Sequence, residues 1–217
     1  MKEQKKFLMT NIDSVKTELT EEILWRYKEL KNIKRLYNAN LTKQIFQVGN
    51  GTITKTKNTS ESKYILRSSI PLIYAHWEGF FKKSIKLLHQ ELDLLSTDYN
   101  KLDNTLLSIL TKDKDINKYK KDKFKFIEIS INTESNLSWK VLEKFSIRYN
   151  FNLKRFEKYK TTIEQVLKAR NGISHGENAY HFDDFSKINE YINVITKLMI
   201  VTKNSVINCL KYKNYYK

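Results

Sequence analysis

Leu66-Arg67-Ser68-Ser69-Ile70-Pro71-Leu72-Ile73-Tyr74-Ala75-His76-Trp77-Glu78-Gly79-Phe80-Phe81-Lys82-Lys83-Ser84 is the stretch that decides the fold. Leu66, Ile70, Ile73, Trp77, Phe80 and Ser84, continued by Leu87 and Leu88, recur at three- and four-residue steps, with Tyr74, Phe81 and Ile85 beside them. That period lays a broad apolar stripe along a helix. Ala75, Gly79 and Ser84 are small enough to let another helix approach closely. Pro71 either kinks this helix or sits in its first turn after Ser69, because an interior proline removes a hydrogen bond.

The same period continues on both sides. Ile12, Val15, Leu19, Ile23, Tyr27, Leu30, Ile33 and Tyr37 predict a long first helix within residues 1–48, its apolar face widened by Leu24 and Trp25. Residues 49–63 hold two glycines and little to bury, which predicts a loop, partly a hairpin. Residues 102–110 suggest a short helix, and 126–131 a short strand or extended segment. Ser138 or Ser135 caps a helix through Leu142, Phe145 and Ile147. Another starts near Lys154 and runs through Phe156, Tyr159, Ile163, Val166 and Leu167. The last starts at Asp183 and ends near Leu210. Four main helices, with short ones between the second and third, predict an all-α bundle. The 217 residues, without a repeat or linker, fit one domain whose bundle core is 64–217.

Composition narrows the function classes. Five Gly and one Pro exclude a turn-rich sandwich or barrel, and 40% hydrophobic residues exclude a disordered chain despite a net charge of +16. The basic residues are 34 Lys and 6 Arg. Two readings stay open: a phosphate-binding surface, or the lysine bias an A·T-rich genome imposes on any protein. Cys209 is the single cysteine, so no intrachain disulfide or thiolate-rich zinc site forms. No apolar run approaches the ~18 residues of a membrane span, and the first residues lack a signal-peptide core, so a cytoplasmic protein off the membrane is expected. No phosphate-binding glycine loop or HExxH spacing occurs, so no metal and no cofactor is expected.

One segment stands out for chemistry: Lys168-Ala169-Arg170-Asn171-Gly172-Ile173-Ser174-His175-Gly176-Glu177. On a continuous helix Arg170 and His175 lie about 140° apart and share no face. Gly172 and Gly176 suggest a break, with Gly172 near the helix end, that turns His175 back toward Arg170. A guanidinium offers a permanent charge and a planar donor fork that matches phosphate oxygens. An imidazole, ordinarily titrating near pH 6.5, gives or takes a proton at neutral pH (about 6.5 is its unperturbed value). RNA carries its own nucleophile, the 2′-hydroxyl, so these two groups suffice without metal to give a 2′,3′-cyclic phosphate and a 5′-hydroxyl. The structural alternative makes Arg170 a surface ion pair and His175 a helix cap.

Arg170 to His175, R-N-G-I-S-H, resembles the R-N-x-x-x-H form of the motif of the HEPN superfamily (higher eukaryotes and prokaryotes nucleotide-binding). Ala75 to Gly79, A-H-W-E-G, resembles the second helix of a bacterial branch of that superfamily, and Ser135-Asn136-Leu137 before a helix resembles the same branch. The resemblance covers about Leu66 to the C-terminus. It implies an up-and-down helical bundle with the motif between the last two long helices. It implies a metal-independent endoribonuclease of toxin–antitoxin, restriction-associated or antiphage systems. It also implies a homodimer whose two motifs face each other across the interface, which would supply a second Arg and His.

By matching position, Arg170 would stabilise the phosphate, His175 would move the proton and Asn171 would orient the motif. His76 and Glu78 are secondary candidates, about 200° apart on their helix and so not aimed at one site. Glu78 either meets Arg170 or His175, or pairs with Lys82; His76 serves either packing or catalysis. Trp77 reads as core, His89 and His181 as surface. Lys168 and the Lys120, Lys121 and Lys123 run are possible RNA contacts, although such a lysine run also reads as a solvated face. Some superfamily toxins carry a modified Tyr two residues after the motif His; here Glu177 stands there. The rival function is a non-catalytic module that binds nucleic acid or protein, or an assembly subunit beside an antitoxin or defence partner.

Overall fold

A computed structural model of the chain describes residues 2–48, 51–94, 102, 126, 131–134, 136–177, 180–182 and 184–216. The apolar stripes read above form its core. Helix α1 (Lys2–Ala39) buries Val15, Leu19, Ile23, Leu30, Ile33 and Tyr37, and α2 (Ser60–Leu94) buries Leu66, Ile70, Ile73, Trp77, Phe80 and Ser84. Helix α3 (Trp139–Arg148), the four-residue α4 (Lys154–Glu157), α5 (Lys160–Ser174) and α6 (Ser186–Tyr212) follow. Helix α2 is central, packing on α1, α5 and α6, while α1 also packs on α6. Periodic side chains bury one face of each helix against its neighbours, and an all-α bundle results.

Between α1 and α2 lies one departure from helix. Residues Leu41–Val48 (β1) and Gly51–Asn58 (β2) form an antiparallel hairpin, in register from Leu41 opposite Asn58 to Val48 opposite Gly51. Within residues 1–48 the helix thus stops at Ala39, just past Tyr37, the last periodic apolar position read above, and Leu41–Val48 is strand. There the Asn40 side chain donates to the Leu36 carbonyl at 2.8 Å, occupying one of the last helical acceptors. Beyond it, Thr42, Ile45, Phe46 and Val48 favour extended backbone, and Gly49-Asn50 is a composition suited to a two-residue hairpin.

Other boundaries shift for local reasons. Pro71 lies inside α2, which begins eleven residues earlier at Ser60, so the proline neither starts the helix nor ends it. Ser138 is the N-cap of α3, its hydroxyl accepting from the Val141 N–H at 3.3 Å. The helix expected from Lys154 divides into α4 and α5 at Lys158 and Tyr159. Helix α6 starts at Ser186, whose N–H donates to the Asp184 carboxylate at 2.7 Å; the expected cap Asp183 lies outside the described residues. So do 103–125, with Lys120, Lys121 and Lys123, and the segment 127–130.

Two burial expectations fail. Leu24 and Trp25 are 51% and 44% exposed and do not widen the buried face of α1. His89, expected at the surface, is 1% exposed, its Nε2 lying 2.5 Å from the Tyr149 hydroxyl. A polar partner inside the core is what permits that burial. Among the described residues, no helix is long and apolar enough to cross a membrane.

Candidate functional site

Helix α5 carries Arg170 and Asn171 in its last turns and stops at Ser174, with His175 as its C-cap residue. The Gly176 N–H donates to the Ile173 carbonyl at 3.1 Å, and the Glu177 N–H to the Gly172 carbonyl at 2.9 Å. Gly176 has φ of 78°, the left-handed conformation this paired closing turn requires and glycine adopts without penalty. Of the two glycines expected to break the helix, Gly176 marks its end, and Gly172 lies inside its last turn. Gly172 stays helical and buried for a different reason: a Cβ there would lie 2.1 Å from Tyr180 Cε2 and 2.7 Å from Glu177 Oε2. The chain folds back over the motif, and Arg67 Nη2 ties it down by donating to the Glu177 carbonyl at 2.5 Å.

Because α5 is unbroken, Arg170 and His175 diverge around it by about 140°. Among the described residues, no hydrogen bond joins them. Arg170 is half-buried and His175 exposed. The guanidinium is held from three sides. Its Nη1 donates to Asn171 Oδ1 at 2.8 Å and to Asn136 Oδ1 at 3.2 Å, and its Cζ lies 5.4 Å from the centre of the Tyr74 ring. Both Nη1 hydrogens are thereby used. Nε and Nη2, the other edge of the fork, donate to no described residue, and no described carboxylate pairs with Arg170. A cation whose position is fixed by neutral amides and a ring face keeps its charge available to an anion.

The A-H-W-E-G block divides between two surfaces, as its helical spacing requires. Glu78 accepts from the Thr133 hydroxyl at 2.6 Å and pairs with Lys82 at 2.9 Å. Among the described residues it touches neither Arg170 nor His175. It lies beside Tyr74, whose pKa is pushed up first by burial and then by the Glu78 charge, so the phenol stays protonated. The Tyr74 oxygen accepts the Leu137 N–H at 2.5 Å.

His76 faces α1 instead, 4% exposed. Its Nδ1 lies 3.5 Å from Arg26 Nη1, and its Nε2 lies 3.3 Å from Glu29 Oε2 without hydrogen-bond geometry. Trp25 meets the imidazole edge-on at 5.5 Å. Burial lowers its pKa; Glu29 raises it and Arg26 lowers it further. That guanidinium lies over Gly79, its Nη1 3.4 Å from where a Cβ would stand, an ordinary contact distance. His76 thus joins α1 to α2, away from the motif. Trp77 is 1% exposed and lies in the core, and His181 is exposed.

Lys168 is exposed on α5, seven positions before His175 and hence on nearly the same face, with Asn171 between them. Spacing alone could not place Asn136 or the Tyr74 ring beside Arg170. Asn136 is 34 positions from Arg170 in sequence, and tertiary packing alone unites them. Among the described residues, no three His, Cys, Asp or Glu side chains gather as a metal site.

Comparison with curated proteins and with solved structures finds no match. A model of the RiboL-PSP-HEPN family matches residues 21–208, which include the A-H-W-E-G block, Asn136 and the whole Arg170–His175 motif. With most of its length matched and its helices packed as a bundle, the chain belongs to the RiboL-PSP-HEPN family.

Proposed function

We propose that the protein is a metal-independent endoribonuclease, acting as a homodimer in a bacterial toxin or antiphage system. The observation that carries this reading is Arg170: a half-buried guanidinium, fixed through Nη1 by two amide oxygens, with its Nε–Nη2 edge unused among the described residues. That edge matches two oxygens of a phosphate. The exposed imidazole of His175 lies at the end of the same helix.

In the proposed step the RNA 2′-oxygen attacks the adjacent phosphorus, and one His175 takes the hydroxyl proton. Arg170 stabilises the charge on the phosphoryl oxygens. The bond from phosphorus to the 5′-oxygen breaks, and that oxygen receives a proton from a second imidazole, leaving a 2′,3′-cyclic phosphate and a 5′-hydroxyl. One chain has one motif histidine, and Arg170 and His175 diverge around α5. A two-fold pair of α5 ends would supply both the second imidazole and a guanidinium on the facing side. Asn171 orients Arg170, and Lys168 would meet the RNA backbone on the His175 face.

RNA incubated with the protein in excess EDTA should be cut, and His175→Ala and Arg170→Ala should each abolish cutting while remaining folded. Cleavage that persists in His175→Ala overturns the mechanism. Salt-sensitive RNA binding without any cleavage would instead favour a non-catalytic phosphate-binding module.

A further inference from the structure

The segment from Thr133 to Leu137 enters α3 alongside α2, and α2 grips it at both ends. At one end the Thr133 hydroxyl, on a residue 3% exposed, donates to Glu78; at the other the Leu137 N–H donates to the Tyr74 hydroxyl. Between these bonds the Asn136 N–H donates back to the Thr133 carbonyl at 2.9 Å, and the Ser138 N–H to the Asn136 carbonyl at 2.9 Å. Asn136 is therefore held through its own N–H and carbonyl, and its side-chain oxygen meets Arg170 Nη1. Asn171 supplies the second acceptor, and the Tyr74 ring lies against the guanidinium.

We propose that Asn136 is a positioning residue for Arg170, presented by the Glu78–Thr133 and Tyr74–Leu137 bonds. Its acceptor oxygen holds one amino group so that the Nε–Nη2 edge keeps a single orientation for phosphate. The proposal gives Glu78 a role through Thr133 and Asn136 and no contact with RNA. It rests on the ribonuclease reading for its catalytic consequence, though the orientation of Arg170 is measurable without RNA.

Two readouts test it on the full chain. Nitrogen-15 NMR of the Arg170 guanidinium should show hindered rotation about Nε–Cζ in the wild type and freer rotation in Asn136→Ala. Steady-state RNA cleavage by Asn136→Ala should show kcat lower by about tenfold or more, with KM within about threefold, since a hydrogen bond to the charged guanidinium is lost. Thr133→Val should lower kcat in the same direction, and the Thr133→Val/Asn136→Ala pair should be no slower than Asn136→Ala alone. A merely structural role would make the two losses add. If Asn136→Ala retains kcat within twofold while His175→Ala is inactive, the positioning role is overturned and the ribonuclease reading stands. If His175→Ala still cuts RNA, that reading falls, and the NMR result decides the proposal alone: unchanged Arg170 signals in Asn136→Ala overturn it.

Discussion

Tyr180 occupies the space that a side chain on Gly172 would need: a Cβ there would stand 2.1 Å from its Cε2. Replacing Gly172 by Ala should lower stability by about 1–3 kcal/mol, although alanine is ~1 kcal/mol the better helix former. Tyr180 is the nearer obstruction, and the other, Glu177 Oε2 at 2.7 Å, ends an exposed side chain that can swing away. Tyr180→Ala should therefore recover much of the loss, giving a coupling well above additivity in urea denaturation. Additive effects of the two changes would disprove the contact.

Gly176 gives a contrasting case. No atom lies within 4 Å of a Cβ placed there, so Gly176→Ala suffers only from its left-handed backbone, about 1–2 kcal/mol. Thermal unfolding should show that loss with no recovery from Tyr180→Ala.

The buried His89 makes stability depend on pH. Burial, with Arg148 adding to it, pushes its pKa down to about 4. The unfolded chain, titrating near 6.5, then binds more protons than the folded one between those values. Stability is full above about pH 6.5 and falls as pH drops toward 4, by on the order of 1–3 kcal/mol from this group. His76, lowered first by burial, contributes in the same direction. His89→Gln should be less stable at pH 7 yet lose less stability between pH 7 and 4. Parallel curves for the two proteins would show that His89 is not the source.

Arg26, held along α1 by Glu22 at 3.1 Å and with the Trp25 ring 4.3 Å from its Cζ, reaches α2 at the His76 carbonyl, 3.5 Å away. Arg26→Gln should cost about 1–2 kcal/mol in chemical denaturation, mainly by leaving buried polar groups without partners. RNA cleavage per folded molecule should not change, since the cluster is separate from the motif.

Lys168 should act on RNA binding through charge alone. Lys168→Gln should weaken binding similarly for different RNA sequences and reduce the slope of log K against log salt by about one. An unchanged slope would remove Lys168 from the RNA-contacting surface.

Helical spacing made much of the bundle legible in the sequence. The stripe through Leu66–Leu88 is buried as read, because an amphipathic helix records its own inward face. The motif was visible as a short string, and so was the separation of His76 from Glu78 around α2. The hairpin was only half visible, since Leu41–Val48 continues an apolar pattern and differs from helix in its β-branched residues more than its period. Gly172 lies near the helix end as read. A glycine there looks the same in sequence whether it unwinds the helix or makes room for a ring, so its packing against Tyr180 was not legible. His89 shows the complementary limit: a histidine's exposure depends on a partner, here Tyr149, 60 positions away.

The glycine turn after Ser174 also makes the end of α5 a measuring rod. Five helical steps, across four intervening residues, carry the chain from Arg170 to His175, about 7.5 Å along the axis. Adding one residue between Asn171 and Ser174 would swing the imidazole by about 100° and advance it about 1.5 Å, while the guanidinium stayed held by Asn136 and Asn171. The length of that interval sets how far apart, and at what angle around the helix, the guanidinium and the imidazole stand.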